Sequence, residues 1–185
     1  MKRKVFIILL LSILSCLLFF KKYIKDSYHN YRESQIIKSS IVWSPENKLK
    51  LSDFNYEPEV TQMDNIAVTV GIISVHNITD KITHRSTTVF RPKESFITKL
   101  DDSFALRIAQ ARFDLCELYR RKMELKIDSL NEKDIKKINT DTITKYEELY
   151  YDLFEKEWSK FNKIKTNELS EGLMELERQI VQQLK

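Results

Sequence analysis

Glycine is almost absent from this chain, with Gly71 and Gly172 the only two among 185 residues. Loops that cradle phosphates and dinucleotide-binding turns need several glycines so that backbone can approach the ligand, and neither pattern occurs. Cysteine is nearly as scarce. Cys16 lies in an apolar run and Cys116 in a helical pattern, so no disulfide framework is expected, and Cys116 reads as a small buried core residue. Acidic residues are missing from the first 25 positions, where six of the 31 basic residues stand. The remaining chain carries 25 basic against 27 acidic residues, so the formal net charge of +4 marks no phosphate-binding surface and no nucleic-acid partner is expected. What is plentiful is apolar material, 42% of the residues with ten Phe and eight Tyr, enough for the core of one domain.

The start of the chain reads as a membrane anchor. Residues 5–20 (VFIILLLSILSCLLFF) contain no charge and follow a basic start. A helix of that length spans about 24 Å at ~1.5 Å per residue, and snorkelling by Lys21 and Lys22 extends its reach. A cleaved signal peptide needs small residues before the cut, and residues 17–20 (LLFF) offer none. A lipoprotein cut before Cys16 is opposed by the apolar residues that follow it. Three Lys/Arg lie on each side of the run, so charge does not orient it. The expectation is an anchor over 1–25 contacting membrane through 5–20, a stalk over 26–38, and an extracytoplasmic body over 39–185.

Within that body, β-prone pieces come first. Residues 40–43 (SIVW) stop at Ser44-Pro45, residues 49–54 form a second apolar cluster, and Pro58 marks a loop. Residues 66–75 are rich in β-branched side chains, and 82–90 alternate, so the two runs predict a hairpin around a polar turn at 77–81. Residues 95–98 form a short third piece. From Asp101 the period changes: Phe104, Ile108, Ala111, Leu115, Leu118 and Leu125 recur at helical spacing, with Asp101, Asp102 or Ser103 as cap and an end near Leu130. A second helix starts at Asp141 or Thr142 with Ile143, Tyr146, Tyr150, Leu153, Trp158, Phe161 and Ile164 on one side. A last one holds Leu169, Leu173, Leu176, Ile180 and Leu184. Strands followed by helices give an α+β class, with an N-terminal transmembrane helix, a small antiparallel sheet, a central helix and C-terminal helices.

Chemistry is sparse. His29 falls in the stalk, while His76 and His84 flank the hairpin turn, where solvated histidines are the ordinary case and a shared metal the exceptional one. No serine sits in a nucleophile-elbow pattern. Cys116 has no flanking cation pair beyond Arg112 one turn earlier, which would lower the thiol's pKa if both share a face.

Residues 106–122 (LRIAQARFDLCELYRRK) resemble the central helix of a bacterial family of unknown function described as predicted secreted zinc-dependent proteases. Phe113, Asp114, Tyr119 and Arg121-Lys122 match its frame, as do Ile41-x-Trp43, Leu51-x-Asp53-Phe54 and Thr69-x-Gly71-Ile72 upstream. The similarity covers about residues 39–128. In that family the helix carries His-Glu-x-x-His, which the resemblance lays on Ile108, Ala109 and Arg112. Ile108 has no donor atom, Ala109 takes no proton from water, and Arg112 brings a fixed positive charge toward where a dication would sit. A downstream ligand segment of the family has as its nearest counterpart Phe161-Asn162 and then Asn167, without His or Gly. The resemblance therefore implies a member with a degenerate site: no catalytic residue, no metal ligand and no cofactor.

The expected function is binding of a protein or peptide partner in the envelope, with Arg112, Asp114 and Tyr119 as candidate interaction residues. Arg112, if buried, requires a carboxylate, for which Asp114, Glu117, Glu147 and Glu148 are the candidates. Two other readings remain: a hydrolase with a relocated or metal-independent site, and a structural protein that self-associates through the aromatic stripe of the second helix.

Overall fold

The structure is a computed structural model that describes residues 27–28, 30–59, 66–78, 80–132 and 138–184. The expected anchor over 1–25 lies outside the described residues. Among the described residues no helix is long and apolar enough to cross a membrane. The chain divides into a unit Met1–Ile36 and a unit Ile37–Lys185. In the first, and running on to residue 38, the described part of the expected stalk is helical at 27–28 and 30–38, a regular conformation that its polar composition did not announce. Everything below concerns the second unit.

That unit is α+β. Among the described residues six strands come first: β1 (Ile41–Val42), β2 (Asn55–Tyr56), β3 (Ile66–Ala67), β4 (Val70–Ile78), β5 (Ile82–Phe90) and β6 (Phe96–Ile97). Three helices follow: α1 (Ser103–Asp128), α2 (Thr140–Phe161) and α3 (Leu169–Leu184). The β-branched runs form the expected hairpin, β4 and β5 pairing over nine residues each, with Gly71 opposite Val89 and His76 opposite His84. The single antiparallel sheet of the sequence reading is in fact two three-stranded sheets. One is β1-β5-β4, all antiparallel, and the other is β2-β6-β3, in which β2 and β6 run parallel. Strands of two residues leave too little periodicity to be found in advance.

α1 is held at its start by Asp102, whose carboxylate accepts the Ala105 N–H at 2.8 Å. It packs against β4 and β5 and against both other helices. Consecutive residues Leu115, Cys116, Glu117 and Leu118 are all buried, so its middle has no solvent stripe at all, the pattern of a helix enclosed by its own domain. The core around it contains Phe90, Ile97, Phe113, Phe154, Leu173 and Ile180. Two expected core positions are overturned. Leu125 is 72% exposed because Met123 and Ile127 turn inward in that part of the helix. On α2, Leu153 faces outward and its neighbour Phe154 is fully buried. α2 starts at Thr140, one residue before the expected Asp141, and its cap is Asn139, whose side-chain oxygen accepts the Thr142 N–H at 2.9 Å. Gly172 lets α3 close on the segment before it, since a Cβ there would lie 2.4 Å from Ile164 Cδ1.

Candidate functional site

Ile108, Ala109 and Arg112, the positions of the expected degenerate site, lie on α1, and α2 packs along that helix. Ala109 is fully buried and Ile108 half-buried against the main core. Arg112, four residues on, is also half-buried. Its guanidinium donates from Nη2 to Glu155 Oε1 at 2.9 Å. The guanidinium carbon lies 5.7 Å from the Phe154 ring centre and 5.2 Å from that of Trp158. A delocalised cation over aromatic faces, tied to a carboxylate, is well compensated for partial burial. Its Nε is buried without a hydrogen-bond partner. Glu155 is therefore the partner; of the four acids named from the sequence, Asp114, Glu117 and Glu147 are engaged elsewhere and Glu148 is exposed. Sequence spacing had no means of finding Glu155, which reaches Arg112 from another helix.

The three candidate interaction residues do not form one site. Tyr119, two turns after Arg112, lies with its ring 6.5 Å from Phe154, so Arg112 and Tyr119 meet around one aromatic ring of α2. Burial pushes the Tyr119 hydroxyl above its ordinary pKa. Asp114 points elsewhere: its Oδ1 accepts Trp43 Nε1–H at 2.7 Å and Gln110 Nε2–H at 2.8 Å, with Lys48 Nζ 3.6 Å from Oδ2. The matched pair Trp43 and Asp114 thus ties the opening strand to the central helix. Cys116 is completely buried and its thiol is pushed well above its ordinary pKa, chiefly by desolvation and then by Glu117, with Arg112 acting in the opposite direction. It is the core residue that the sequence suggested.

Two polar clusters were missed. Glu117, 2% exposed, accepts from Thr88 Oγ1 at 2.9 Å, from Arg120 at 2.7 and 2.8 Å, and from Arg121 Nε at 2.8 Å. Burial alone would raise its pKa, but these donors outweigh it and hold the carboxyl below the ordinary glutamate value. The spacing of Glu117 to Arg120 and Arg121 was the available signal. The second cluster corrects the expectation of solvated hairpin histidines. Glu147 of α2 places Oε1 3.3 Å from His76 Nδ1, 3.2 Å from His84 Nε2 and 2.6 Å from Ser74 Oγ, which donates to it. The His84 side chain is 1% exposed, and the two rings stack with centres 6.5 Å apart. Burial opposes ionisation of Glu147, yet the hydrogen bonds from His76, His84 and Ser74 lower its pKa far more.

In a serine nucleophile system a base touches the hydroxyl and a carboxylate orients the base. The second cluster has another order: the carboxylate sits in the middle and accepts from the Ser74 hydroxyl as well as facing both imidazoles. Both imidazoles and the hydroxyl are directed at one carboxylate oxygen, and among the described residues no group of three or more His, Cys, Asp or Glu is placed to hold a metal ion. No known family, no curated protein and no solved structure matches the chain.

Proposed function

We propose that this chain is a non-catalytic relative of zinc-dependent proteases, tethered in a membrane, that works in the envelope by holding a protein or peptide partner. The observation that carries this reading is the Arg112–Glu155 pair. At the position where the resembling family places its second zinc-binding histidine, a guanidinium lies over Phe154 and Trp158 with its charge neutralised by a carboxylate. One turn earlier Ile108 supplies hydrocarbon, and Ala109 between them supplies no base. A dication entering there would meet a fixed cation, and the carboxylate at hand, Glu155, is already bonded to that cation. The uncharged run at 5–20 after a basic start supports the tether, and an extracytoplasmic body is its common outcome.

The test is metal content and hydrolysis together. The full chain, purified in mild detergent, is incubated with excess zinc, dialysed and measured by elemental analysis, then mixed with unfolded casein. Zinc well below one per chain and intact casein are expected. A stoichiometric, tightly held zinc with casein cleavage overturns the reading.

A further inference from the structure

The β4–β5 hairpin has two long edges, and the described residues cover only one of them. Arg91 N–H donates to Thr69 C=O at 2.9 Å, which fixes the parity of the ladder. Odd residues of β4 bond across to β5, and the even residues Ile72, Ser74, His76 and Ile78 turn their N–H and C=O groups away from it. On β5 the even residues face the opposite edge, and there almost every group is met. Ile41 pairs with Phe90, and Trp43 N–H donates to Thr88 C=O at 3.0 Å. Where β1 ends, side chains continue its work. Glu124 accepts the Ser86 N–H at 3.1 Å and Arg120 donates to the Ser86 C=O at 3.2 Å. Asn131 brackets Ile82, accepting from its N–H at 2.7 Å and donating to its C=O at 3.1 Å.

Nothing comparable among the described residues reaches the outward groups of β4. The strand also lacks the features by which sheets blunt an edge: it contains no proline and no Asp, Glu, Lys or Arg over nine residues. We propose that the β4 edge from Ile72 to Ile78 takes an extended, uncharged segment of another polypeptide, which adds as a fourth strand to the sheet β1-β5-β4. This rests on the reading of the chain as a domain that holds a polypeptide without cutting it, and puts the holding on a strand edge.

Chemistry selects the occupant. Donors and acceptors repeating at every second residue match an extended backbone and no small ligand. Because β4 has no charge to pair with, a charged segment laid beside Ile72 and Ile78 would lose water and gain no partner, so an uncharged one is selected. A second copy of the chain fits less well. The Glu147 contacts to Ser74 and His76 lay α2 over β4. A helix is roughly 10 Å wide and strands are about 4.8 Å apart. Pairing β4 antiparallel with its own copy about a two-fold axis would bring two α2 helices over the same strip, whereas a lone strand brings none.

The experiment needs no altered protein. A random twelve-residue peptide display library is panned against the full chain in mild detergent, and the enriched peptides are remade synthetically, plain and N-methylated at alternate residues. Residue-resolved amide exchange is then read with and without peptide. Enrichment of uncharged, β-branched sequences is expected. The amides of Ile72, Ser74, His76 and Ile78 should slow at least tenfold, those of Gly71, Ile73 and Val75 should stay unchanged, and N-methylation should abolish binding. No enrichment overturns the proposal. So does a peptide that protects α1 and α2 beside Arg112 in place of β4, although that result leaves the polypeptide-holding reading standing. Protection of the four amides without peptide, growing with protein concentration, assigns the edge to a second copy and also overturns it. Failure of the parent reading shows separately, as bound zinc and cut casein.

Discussion

Arg112 keeps its charge in a half-buried place because two kinds of partner share it. Glu155 takes one edge of the guanidinium, and the rings of Phe154 and Trp158 take its flat surface. The carboxylate is itself partly exposed, so the pair is screened and its worth is modest. Glu155→Ala is expected to destabilise the chain by about 1 kcal/mol, read from urea unfolding, and a double-mutant cycle with Arg112→Met should show that the two losses do not add. Equal and additive losses would mean that the ion pair contributes nothing. At this scale the sequence disclosed residue character better than residue partnership. That Cys116 is a core thiol followed from its helical surroundings. That Glu155 answers Arg112, or that one carboxylate gathers Ser74, His76 and His84, depends on how α2 lies against α1 and β4, which no local spacing encodes.

Elements with long periods were legible and short ones were not. The change from alternation to a helical period at Asp101 located the start of α1 to within a residue, because Asp102 supplies the cap that the pattern calls for. Leu125 and Leu153 misled for a common reason: a spacing of three, four or seven drifts around a helix, and a neighbour one position away took the inward place. The edge of β5 was invisible in the sequence, since Arg120, Glu124 and Asn131 look like ordinary surface polar residues. Asn131 in particular serves as a strand of one residue. Asn131→Ala leaves both backbone groups of buried Ile82 unmet, and a loss of about 2 kcal/mol is expected in thermal or urea unfolding. Light scattering on heating should also rise earlier than in the parent chain, since a sheet edge is uncovered. Unchanged unfolding would show that water replaces the asparagine at no cost.

The whole molecule inherits an acid sensitivity from two carboxylates held by separate networks. Glu117 is gripped by Arg120, Arg121 and Thr88, and Glu147 by His76, His84 and Ser74; in both, donors overcome the burial that would otherwise raise the pKa. Each therefore ionises more readily folded than unfolded, where an ordinary glutamate takes its proton near 4.5. Above that pH both states are ionised and the stabilisation is complete. As pH falls below it the unfolded chain binds protons first, so stability drains away toward the lower folded values. Urea midpoints should hold steady from pH 6 to 5 as far as these groups govern them, then fall steeply from 4.5 to 3, and Glu147→Gln should flatten the fall. A variant as acid-sensitive as the parent would remove Glu147 from this account.

One arginine joins the beginning of the domain to the far end of its last helix. Arg121 lies with its guanidinium carbon 5.1 Å from the Trp43 ring centre and donates from Nη1 to the Leu184 carbonyl at 2.8 Å. The indole that follows β1 and the carbonyl that closes α3 are therefore held by one side chain of the central helix. Fraying of that last turn removes one of the two partners that keep Arg121 over the Trp43 ring.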